Sequence, residues 1–372
     1  MNELLIHNGR RFDKIHHIPN PDGNAGFCAL MTYALNGVRL ALRNNWLPVV
    51  DYDAETCPHF FDEHHGTNVW EYYFMPVLGV SSSDVDHALK GGTLDPRMVH
   101  RFDPWDVMRW HHTDPDRIAT FWASDVPENP RAWMDEKRRL GRRYVGEFIR
   151  VRPEITEKID TFVAEKMQQI FTFGAHVRGT DFAYAEPTPP EAYFRAIDAG
   201  VRGRDLSDFR VFLATDQRQF VDRFAAEYGS RLLTYDAIRS SGDTAPFRMM
   251  VASPFKKGED VLIDTLLLSR CDHVLKCAAA GGEYALWFNP RLECTDFALE
   301  SQFDTRKYHQ LESAYLKLNV DGLSNRGLRV RRMLATCVQY LRSRRGLAAL
   351  PYKAWQSARR AVGRLTTKGP KS

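Results

Sequence analysis

From residue 169 onward, short apolar runs alternate with segments of helical character, and this alternation constrains the fold more than any other feature of the chain. The predicted strands are IFTFGAHV, FRVFLATD, RLLTY and DHVLK. Helices are predicted over residues 190–201, 217–228, 258–270 and 281–288. Because the strands are almost continuously apolar, helices are expected to cover both faces of the sheet, as in parallel sheets. The segment therefore predicts a Rossmann-like α/β domain.

The residues before this segment predict a second, less regular α/β unit. The first 50 residues indicate a Gly/Asn/Pro-rich turn, a helix with apolar residues at helical spacing, and the short strand LPVV. Residues 54–128 are aromatic-rich and predict loops and short helices, whereas 130–168 predict two charged helices, the second beginning at Pro153. We therefore divide the chain into an N-terminal acceptor-side α/β domain (1–168), a C-terminal Rossmann-like domain (169–310), and C-terminal helices with a basic tail (311–372).

Composition excludes several protein classes. A chain of 372 residues with 44% hydrophobic and 26% charged residues can bury a large core, so it is neither disordered nor collagen-like. No pair of its six cysteines has CxxC spacing, which predicts free thiols and a cytoplasmic protein. The N-terminus lacks the apolar stretch of a signal peptide, and no window approaches the roughly 18 apolar residues of a spanning helix. We therefore expect no membrane span.

Charge is distributed unevenly along the chain. Of the 51 Lys and Arg residues, 13 lie from residue 326 onward, where there is no Asp or Glu, so the preceding residues hold 38 cations against 47 anions. The basic tail has three interpretations: peripheral contact of residues 341–372 with the inner face of an anionic membrane, a solvated tail, or nucleic-acid binding. Nucleic acid is not expected as a partner, because the body is acidic and no recognition motif is present.

Polar or small residues follow three of the predicted strands. The segments are HVRGTD, with His176, Arg178 and Asp181; ATD, with Asp216; and CAAAGG, with Ala279, Ala280 and Gly281. The carboxyl ends of parallel strands meet at one edge of a sheet, so these segments are expected to form one site. Small residues before a helix admit a phosphate to backbone N–H groups, and an arginine supplies a forked cation. The pattern predicts a diphosphate-bearing ligand, although neither a Walker A nor a GxGxxG motif is present.

The same segments resemble a known enzyme family. AHVRGTDFAYAE, VFLATDQRQF and VLIDTLLLSRCDHVLK follow, in order and at similar spacing, the three motif regions of the α-1,6-fucosyltransferases, which are related to the protein O-fucosyltransferases. The match covers about residues 170–290, and DGNAGF looks like the loop through which the N-terminal domain approaches the donor. The resemblance implies a GT-B architecture, in which two Rossmann-like domains face a cleft, and a metal-independent reaction.

The resemblance also implies roles for individual residues. Arg178 matches an arginine on the donor β-phosphate, His176 a histidine at the guanine and phosphate end, and Asp264 the aspartate that reads guanine. Glu186 lies at the offset of the proposed catalytic base, Asp216 at an aspartate of the catalytic region, and Tyr193 at a site tyrosine. Further predicted site residues are Asp181 and the donor-facing Gly23, Asn24, Gly26, Ala279, Ala280 and Gly281.

Five positions depart from the family pattern. The family has a second arginine at Gly179, a lysine at Phe182, a Ser-Ser pair at Ala279 and Ala280, and an aspartate at Gln217. The first two changes remove cations from the surroundings of the diphosphate and the sugar. They therefore bear on which donor and acceptor the chain uses, and on whether it is catalytic.

The resulting prediction is an inverting fucosyltransferase that uses GDP-fucose as co-substrate, without metal, to modify a glycan or a lipid-linked glycan precursor in polysaccharide biosynthesis. A transferase using another GDP-hexose and a non-catalytic glycan- or nucleotide-binding protein of the same fold are the alternatives.

Simpler structural roles remain open for several of these residues. Asp216 could cap the following helix, and Asp264 could be an exposed or salt-bridged residue on a helix face. His176 could be a core histidine, and the glycine segment could be only a turn. The cluster CPHFFDEHH, with His111 and His112, contains metal-ligand residue types, but it lacks the ligand spacing of a zinc site.

Overall fold

The computed structural model describes residues 3–101, 114–121, 128–180, 188–242 and 244–299. Its strands are β1 (Ile6–His7), β2 (Arg10–Arg11), β3 (Lys14–Ile18), β4 (Trp46–Val50), β5 (Val99–Arg101), β6 (Thr172–Val177), β7 (Arg210–Thr215), β8 (Leu232–Leu233), β9 (His273–Lys276) and β10 (Glu293–Asp296). Its α-helices are α1 (Phe27–Arg43), α2 (Val69–Tyr73), α3 (Ser82–Lys90), α4 (Pro130–Phe148), α5 (Pro153–Lys166), α6 (Pro190–Gly203), α7 (Arg218–Tyr228), α8 (Pro254–Ser269) and α9 (Ala280–Phe288).

The N-terminal sheet is three-stranded and parallel, in the order β4-β3-β5. Helix α1 packs against its middle strand, where Gly37 permits close approach: a Cβ on this glycine would lie 2.4 Å from Cγ2 of Ile18. The sequence did not predict β3, because its central residues are His16 and His17. Both histidines are nevertheless buried, at 1% and 4% exposure.

The C-terminal sheet has five parallel strands in the order β10-β9-β6-β7-β8. The chain enters at the central strand β6, moves outward through β7 and β8, and then crosses back to β9 and β10 on the other side. The predicted parallel α/β architecture is confirmed. The strand order also creates a topological switch point between β6 and β9, the place where open α/β sheets bind ligands.

Prolines set the beginning of four helices. Pro130, Pro153, Pro190 and Pro254 each occupy the first helical position, where the missing N–H costs nothing and the fixed φ angle favours the helix. The predicted start at Pro153 is confirmed. Helix α8 begins four residues before its predicted start at residue 258.

The two sheets are joined through helices rather than through a linker. Helix α1 contacts α8 and α9, and the Thr32 hydroxyl lies 2.9 Å from the Tyr284 hydroxyl in this interface. One apolar core extends from Ile18, on the N-terminal sheet, to Leu292, after α9. The division at residue 168 stays a prediction, and the basic tail lies outside the described residues. Within those residues, no helix combines the length and apolar character of a membrane span.

Candidate functional site

The crevice between β6 and β9 brings two of the predicted segments together. The backbone N–H of Gly282, in the first turn of α9, donates to Nδ1 of His176 on β6 at 3.0 Å. A Cβ on Gly281 would lie 2.9 Å from Nε2 of the same ring, so the glycines admit the imidazole against the helix backbone. The Gly-Gly pair therefore joins the β6 end to the α9 N-terminus.

His176 is a neutral imidazole in this position. Burial, and then the positive charges of Arg178 and Lys276, lower its pKa to about 3. Because Nδ1 accepts the Gly282 N–H, the ring proton belongs on Nε2. His176 is therefore packed like the core histidine considered above, and it also presents a defined N–H donor at the switch point.

Asp216, at the end of β7, organises the loop that carries Arg178. Its carboxylate accepts hydrogen bonds from the N–H of Gly179 (2.8 Å) and of Thr180 (3.2 Å) and from the Thr180 hydroxyl. Nε of Arg178 lies 3.0 Å from Oδ2 of the same carboxylate. The helix-capping interpretation is not supported, because α7 begins with Gln217 as its N-cap residue and has no side-chain cap. Asp216 instead positions residues 178–180.

Gly179 and Gln217, two of the departures from the family pattern, are neighbours in space. A Cβ on Gly179 would lie 2.0 Å from Oε1 of Gln217 and 2.5 Å from the Phe220 ring. The Gln217 amide also donates to the carbonyl of Gly242 at 2.8 Å. An uncharged amide therefore fills the space beside residue 179, and a long side chain does not fit there without displacing it.

Asp264 lies on α8 and is half-buried. Burial raises its pKa to about 8, and the negative charge of Asp260 adds to the rise, whereas Arg239 and Lys256 oppose it. Its Oδ1 atom is buried and has no hydrogen-bond partner in the part of the chain that the structure describes. The interpretation of Asp264 as an exposed helix-face residue does not hold. A buried carboxyl oxygen without a partner is a candidate for ligand contact.

The N-terminus of α9 follows the small residues predicted to admit a phosphate. Ala279 is the N-cap in extended conformation and Ala280 the first helical residue. Glu283 in the first turn would weaken anion binding, but it forms ion pairs with Arg138 at 2.7 Å and Lys276 at 3.3 Å. The helix N-terminus therefore keeps its attraction for anions.

The glycine-rich turn is built by its own side chains. Asn20 donates to the carbonyls of Asp22 and Thr56, and the Asp22 carboxylate accepts from the N–H of Asn24 at 3.0 Å. Gly26 then serves as the N-cap of α1, beside the Phe247 ring.

The residue after this turn approaches the β6 site. Cys28, the second residue of α1, lies close enough to Arg178 for the guanidinium to oppose the rise of its thiol pKa, which burial brings to about 12. The start of α1, which follows Gly23, Asn24 and Gly26, thus lies near the β6 end.

The remaining predicted residues fall into two groups. Tyr193 is fully buried in α6, and its hydroxyl donates to the carbonyl of His176 at 2.7 Å, so it supports β6 from within the core. Glu186, Asp181 and Phe182 lie outside the described residues. For these three, the predicted roles stay predictions.

The cysteine- and histidine-rich segment has structural contacts. Cys57 is buried, the Asp62 carboxylate accepts a hydrogen bond from Ser253 at 2.8 Å, and the His65 ring stacks on Phe255 at 3.9 Å. Among the residues that the structure describes, no group of three His, Cys, Asp or Glu side chains could hold a metal ion. Residues His111 and His112 lie outside that set.

The loop after β8, residues 235–242, was not predicted from the sequence to belong to the site. Its Ser240 N–H donates to the carbonyl of Asp216 at 2.8 Å, and its Ile238 N–H donates to the Asp260 carboxylate at 2.7 Å. The loop thus connects the β7 end to α8 and places Arg239 near Asp264. The strand-end rule that singled out the other segments, applied to RLLTY, would have found it.

Comparison with known proteins gives structural similarities only. Neither a protein-family model nor a curated protein matches the chain. Its structure is similar to that of fucosyltransferase NodZ from Bradyrhizobium, with 18% identity over 78% of this chain and 97% of that one and a TM-score of 0.47. It is also similar to a FUT1 mutant from Arabidopsis thaliana in complex with GDP (11% identity, 78% and 71% coverage, TM-score 0.42) and to POFUT1 in complex with GDP (10% identity, 77% and 99% coverage, TM-score 0.42).

Proposed function

We propose that this protein is a glycosyltransferase that takes a sugar from a GDP-sugar, and that its donor is GDP-fucose. The observation that carries the proposal is the convergence of His176, Arg178 and the α9 N-terminus on the switch point between β6 and β9. These are the segments that resemble the fucosyltransferase motifs. A neutral N–H donor, a guanidinium and a helix N-terminus together suit a nucleoside diphosphate.

The guanine base of the donor would bind at the far end of this site, beside α8. Guanine presents two neighbouring N–H donors, at N1 and N2, and a carboxylate can accept both. Asp264 lies on α8 beside the loop after β8, residues 235–242, and its buried Oδ1 is unpartnered among the described residues. Adenine and uracil lack this pair of donors, so the assignment predicts selectivity for GDP over ADP and UDP.

The transfer would proceed by a single displacement. An acceptor hydroxyl oxygen attacks the anomeric carbon, and its proton passes to the Glu186 carboxylate as the bond from the anomeric carbon to the β-phosphate oxygen breaks. The electron pair leaves with GDP. Arg178 and the backbone N–H groups at residues 279–281 would stabilise the charge that develops on the leaving oxygen. Attack opposite the leaving group inverts the anomeric centre.

The acceptor in this proposal is a hydroxyl of a glycan or of a lipid-linked glycan precursor. The basic, apolar-interspersed residues 341–372 would hold the enzyme at an anionic membrane surface that carries such a precursor.

The donor class is tested by thermal unfolding with GDP, UDP, ADP and CMP. We expect GDP alone to raise the midpoint by several degrees, because ligand at 100 times its dissociation constant stabilises by about 2.7 kcal/mol. Equal shifts with UDP or ADP would remove the guanine assignment. Turnover with GDP-mannose but not GDP-fucose would identify another GDP-hexose as donor.

Catalysis is tested with a matched pair of arginine variants. Arg178→Ala is expected to reduce GDP-fucose turnover by at least about 100-fold. Arg210→Ala is the control, because Arg210 lies at the opposite end of the sheet and pairs with Asp208.

The uncharged Gly179–Gln217 contact favours one competing function, that of a nucleotide-binding protein without catalysis. Tight GDP binding with no transfer or hydrolysis would establish that function instead.

A further inference from the structure

The 235–242 loop holds Arg239 in a defined place. On one side, Ser240 exchanges backbone hydrogen bonds with the β7 end and the α7 start: its N–H donates to Asp216, and its carbonyl accepts from Arg218 at 2.9 Å. On the other side, the Ile238 N–H binds the Asp260 carboxylate, one turn before Asp264 on α8. Arg239 lies between these two attachments.

The guanidinium of Arg239 is fixed by its own loop. Nη1 donates to the carbonyl of Ala237 at 3.2 Å, and Nη2 donates to the carbonyl of Tyr235 at 2.7 Å. Because the guanidinium is planar, these two bonds also set the direction of the Nε–H group. Within the described residues, that Nε is buried and has no hydrogen-bond partner.

An unpartnered donor and an unpartnered acceptor therefore lie in the same small region. Oδ1 of Asp264 is buried without a partner among the described residues, as is Nε of Arg239, although each residue as a whole is only half-buried. Arg239 is close enough to oppose the raised pKa of Asp264. Leaving such groups unsatisfied is costly, so native proteins usually reserve the arrangement for a ligand or an ordered water.

The chemistry of the pair matches one edge of guanine. Its N1–H and N2–H groups are donors for a carboxylate, and the adjacent O6 is an acceptor for an N–H group. We propose that Arg239 is a specificity-determining residue that donates its Nε–H to O6 of the guanine bound by Asp264. This inference rests on the proposed function, and it adds a residue outside the three motif regions to the donor site.

The test compares the affinities of GDP, IDP and 6-thio-GDP by calorimetry. IDP lacks the 2-amino group that Asp264 would accept, and 6-thio-GDP replaces O6 by sulfur, a weaker acceptor. For the native protein we expect GDP to bind about tenfold or more tightly than either analogue. For Arg239→Met, the preference for GDP over 6-thio-GDP should fall to about one, while the preference over IDP persists.

Two further variants distinguish a specific loss of O6 recognition from a general loss of folding or binding. Arg239→Gln keeps an N–H donor and should retain part of the preference over 6-thio-GDP. Arg218→Met removes an exposed cation next to the same loop and should leave both preferences unchanged. An unchanged GDP to 6-thio-GDP ratio in a folded Arg239→Met variant overturns the inference. Absence of any GDP preference over ADP and UDP in the native protein overturns the proposed function itself.

Discussion

The proposed contact between Asp264 and guanine predicts that nucleoside binding depends on pH. Its pKa in the free protein is about 8, chiefly because burial disfavours the carboxylate, with Asp260 adding to the rise and Arg239 and Lys256 opposing it. In the proposed complex guanine donates two N–H groups to this carboxylate, so it requires the ionised form, and below pH 8 binding would release a proton. We therefore expect affinity to increase as pH rises from 6 to 8, by up to about tenfold per unit, and then to level off.

Guanosine is the ligand for this measurement, because GDP carries a phosphate that titrates in the same range. Calorimetry at pH 6, 7 and 8 should show the rise for the native protein and a flat profile for Asp264→Asn. At pH 7, repeating the titration in buffers of different ionisation enthalpy should reveal release of about one proton. An affinity that is constant or decreases with pH would contradict the assignment.

Gly179 and Gln217 should be coupled in stability. Gly179→Ala places a Cβ 2.0 Å from Oε1 of Gln217 and 2.5 Å from Phe220, so we expect a loss of about 1–3 kcal/mol in the free energy of unfolding. Gln217→Ala on the same background should restore part of the loss, since the amide no longer occupies the space. Urea unfolding of the two single variants and the double variant measures this coupling.

Gly146 provides the control for this cycle. It lies in α4, and among the described residues no atom outside the helix's own backbone would lie within 4 Å of a Cβ there. Gly146→Ala should therefore stabilise the chain by about 0.5–1 kcal/mol through helix propensity. Strict additivity of the Gly179 and Gln217 substitutions would show that the two residues do not share the space described above.

At the scale of elements, a buried ion cluster joins α4 to the C-terminal sheet. Arg138 on α4 pairs with Glu283 of α9 and Asp296 of β10, and Lys276 of β9 pairs with the same two carboxylates. Two cations and two anions balance, with every side chain at most 13% exposed. Removing one member therefore leaves an uncompensated charge in the interior.

We expect Arg138→Met to lower the free energy of unfolding by about 3–5 kcal/mol. The adjacent Arg139→Met is a close control, because Arg139 pairs with Glu136 on the exposed face and should contribute less than about 1 kcal/mol. Urea unfolding distinguishes the two. Similar small losses for both variants would mean that water reaches the cluster and screens it.

The sequence predicted correctly those strands whose position is determined by apolar patterning alone. The strands β6, β7 and β9 follow from continuous apolar runs. In contrast, β3 was missed because two buried histidines interrupt its pattern, and β10 because Glu293 and Asp296 give an edge strand a polar sequence. For such strands, neighbours distant in sequence decide burial.

The same distinction holds within the candidate site. His176, Arg178 and Asp216 directly end or follow strands, so the parallel-sheet rule placed them together. Arg239 was missed because its loop is held by Asp260 of α8, which lies 22 positions after Ile238 in the sequence, and no local pattern indicates that contact. The Gly179–Gln217 contact likewise appears only once β6 and β7 are paired.

For the whole molecule, the shared core predicts cooperative unfolding. Apolar residues of α1, α8 and α9 form one cluster between the two sheets, and Tyr73 donates to the Phe255 carbonyl across the same junction at 2.8 Å. We therefore expect amides of β4 and β7 to exchange hydrogen with the same free energy of opening, equal to that of global unfolding. Exchange in β4 at a clearly lower free energy would indicate two independently unfolding domains.

The last prediction concerns the basic segment and its membrane. Residues 341–372 combine clustered cations with interspersed apolar side chains, including Arg342, Arg344, Arg345, Leu347, Leu350 and Trp355. Each cation near an anionic leaflet contributes about 1 kcal/mol, and salt screens this attraction over a Debye length of about 10 Å at 0.1 M. We expect the full chain to float with phosphatidylserine vesicles at low salt and to be released at high salt.

Two variants identify which part of the segment binds. Deletion of 341–372 should abolish flotation, and replacing Leu347, Leu350 and Trp355 by serine should weaken it while leaving the salt dependence intact. Equal flotation of the full and shortened chains would place the membrane contact elsewhere. Binding to neutral vesicles that persists at high salt would show that apolar insertion, rather than charge, holds the protein at the surface, because only the electrostatic contribution is screened.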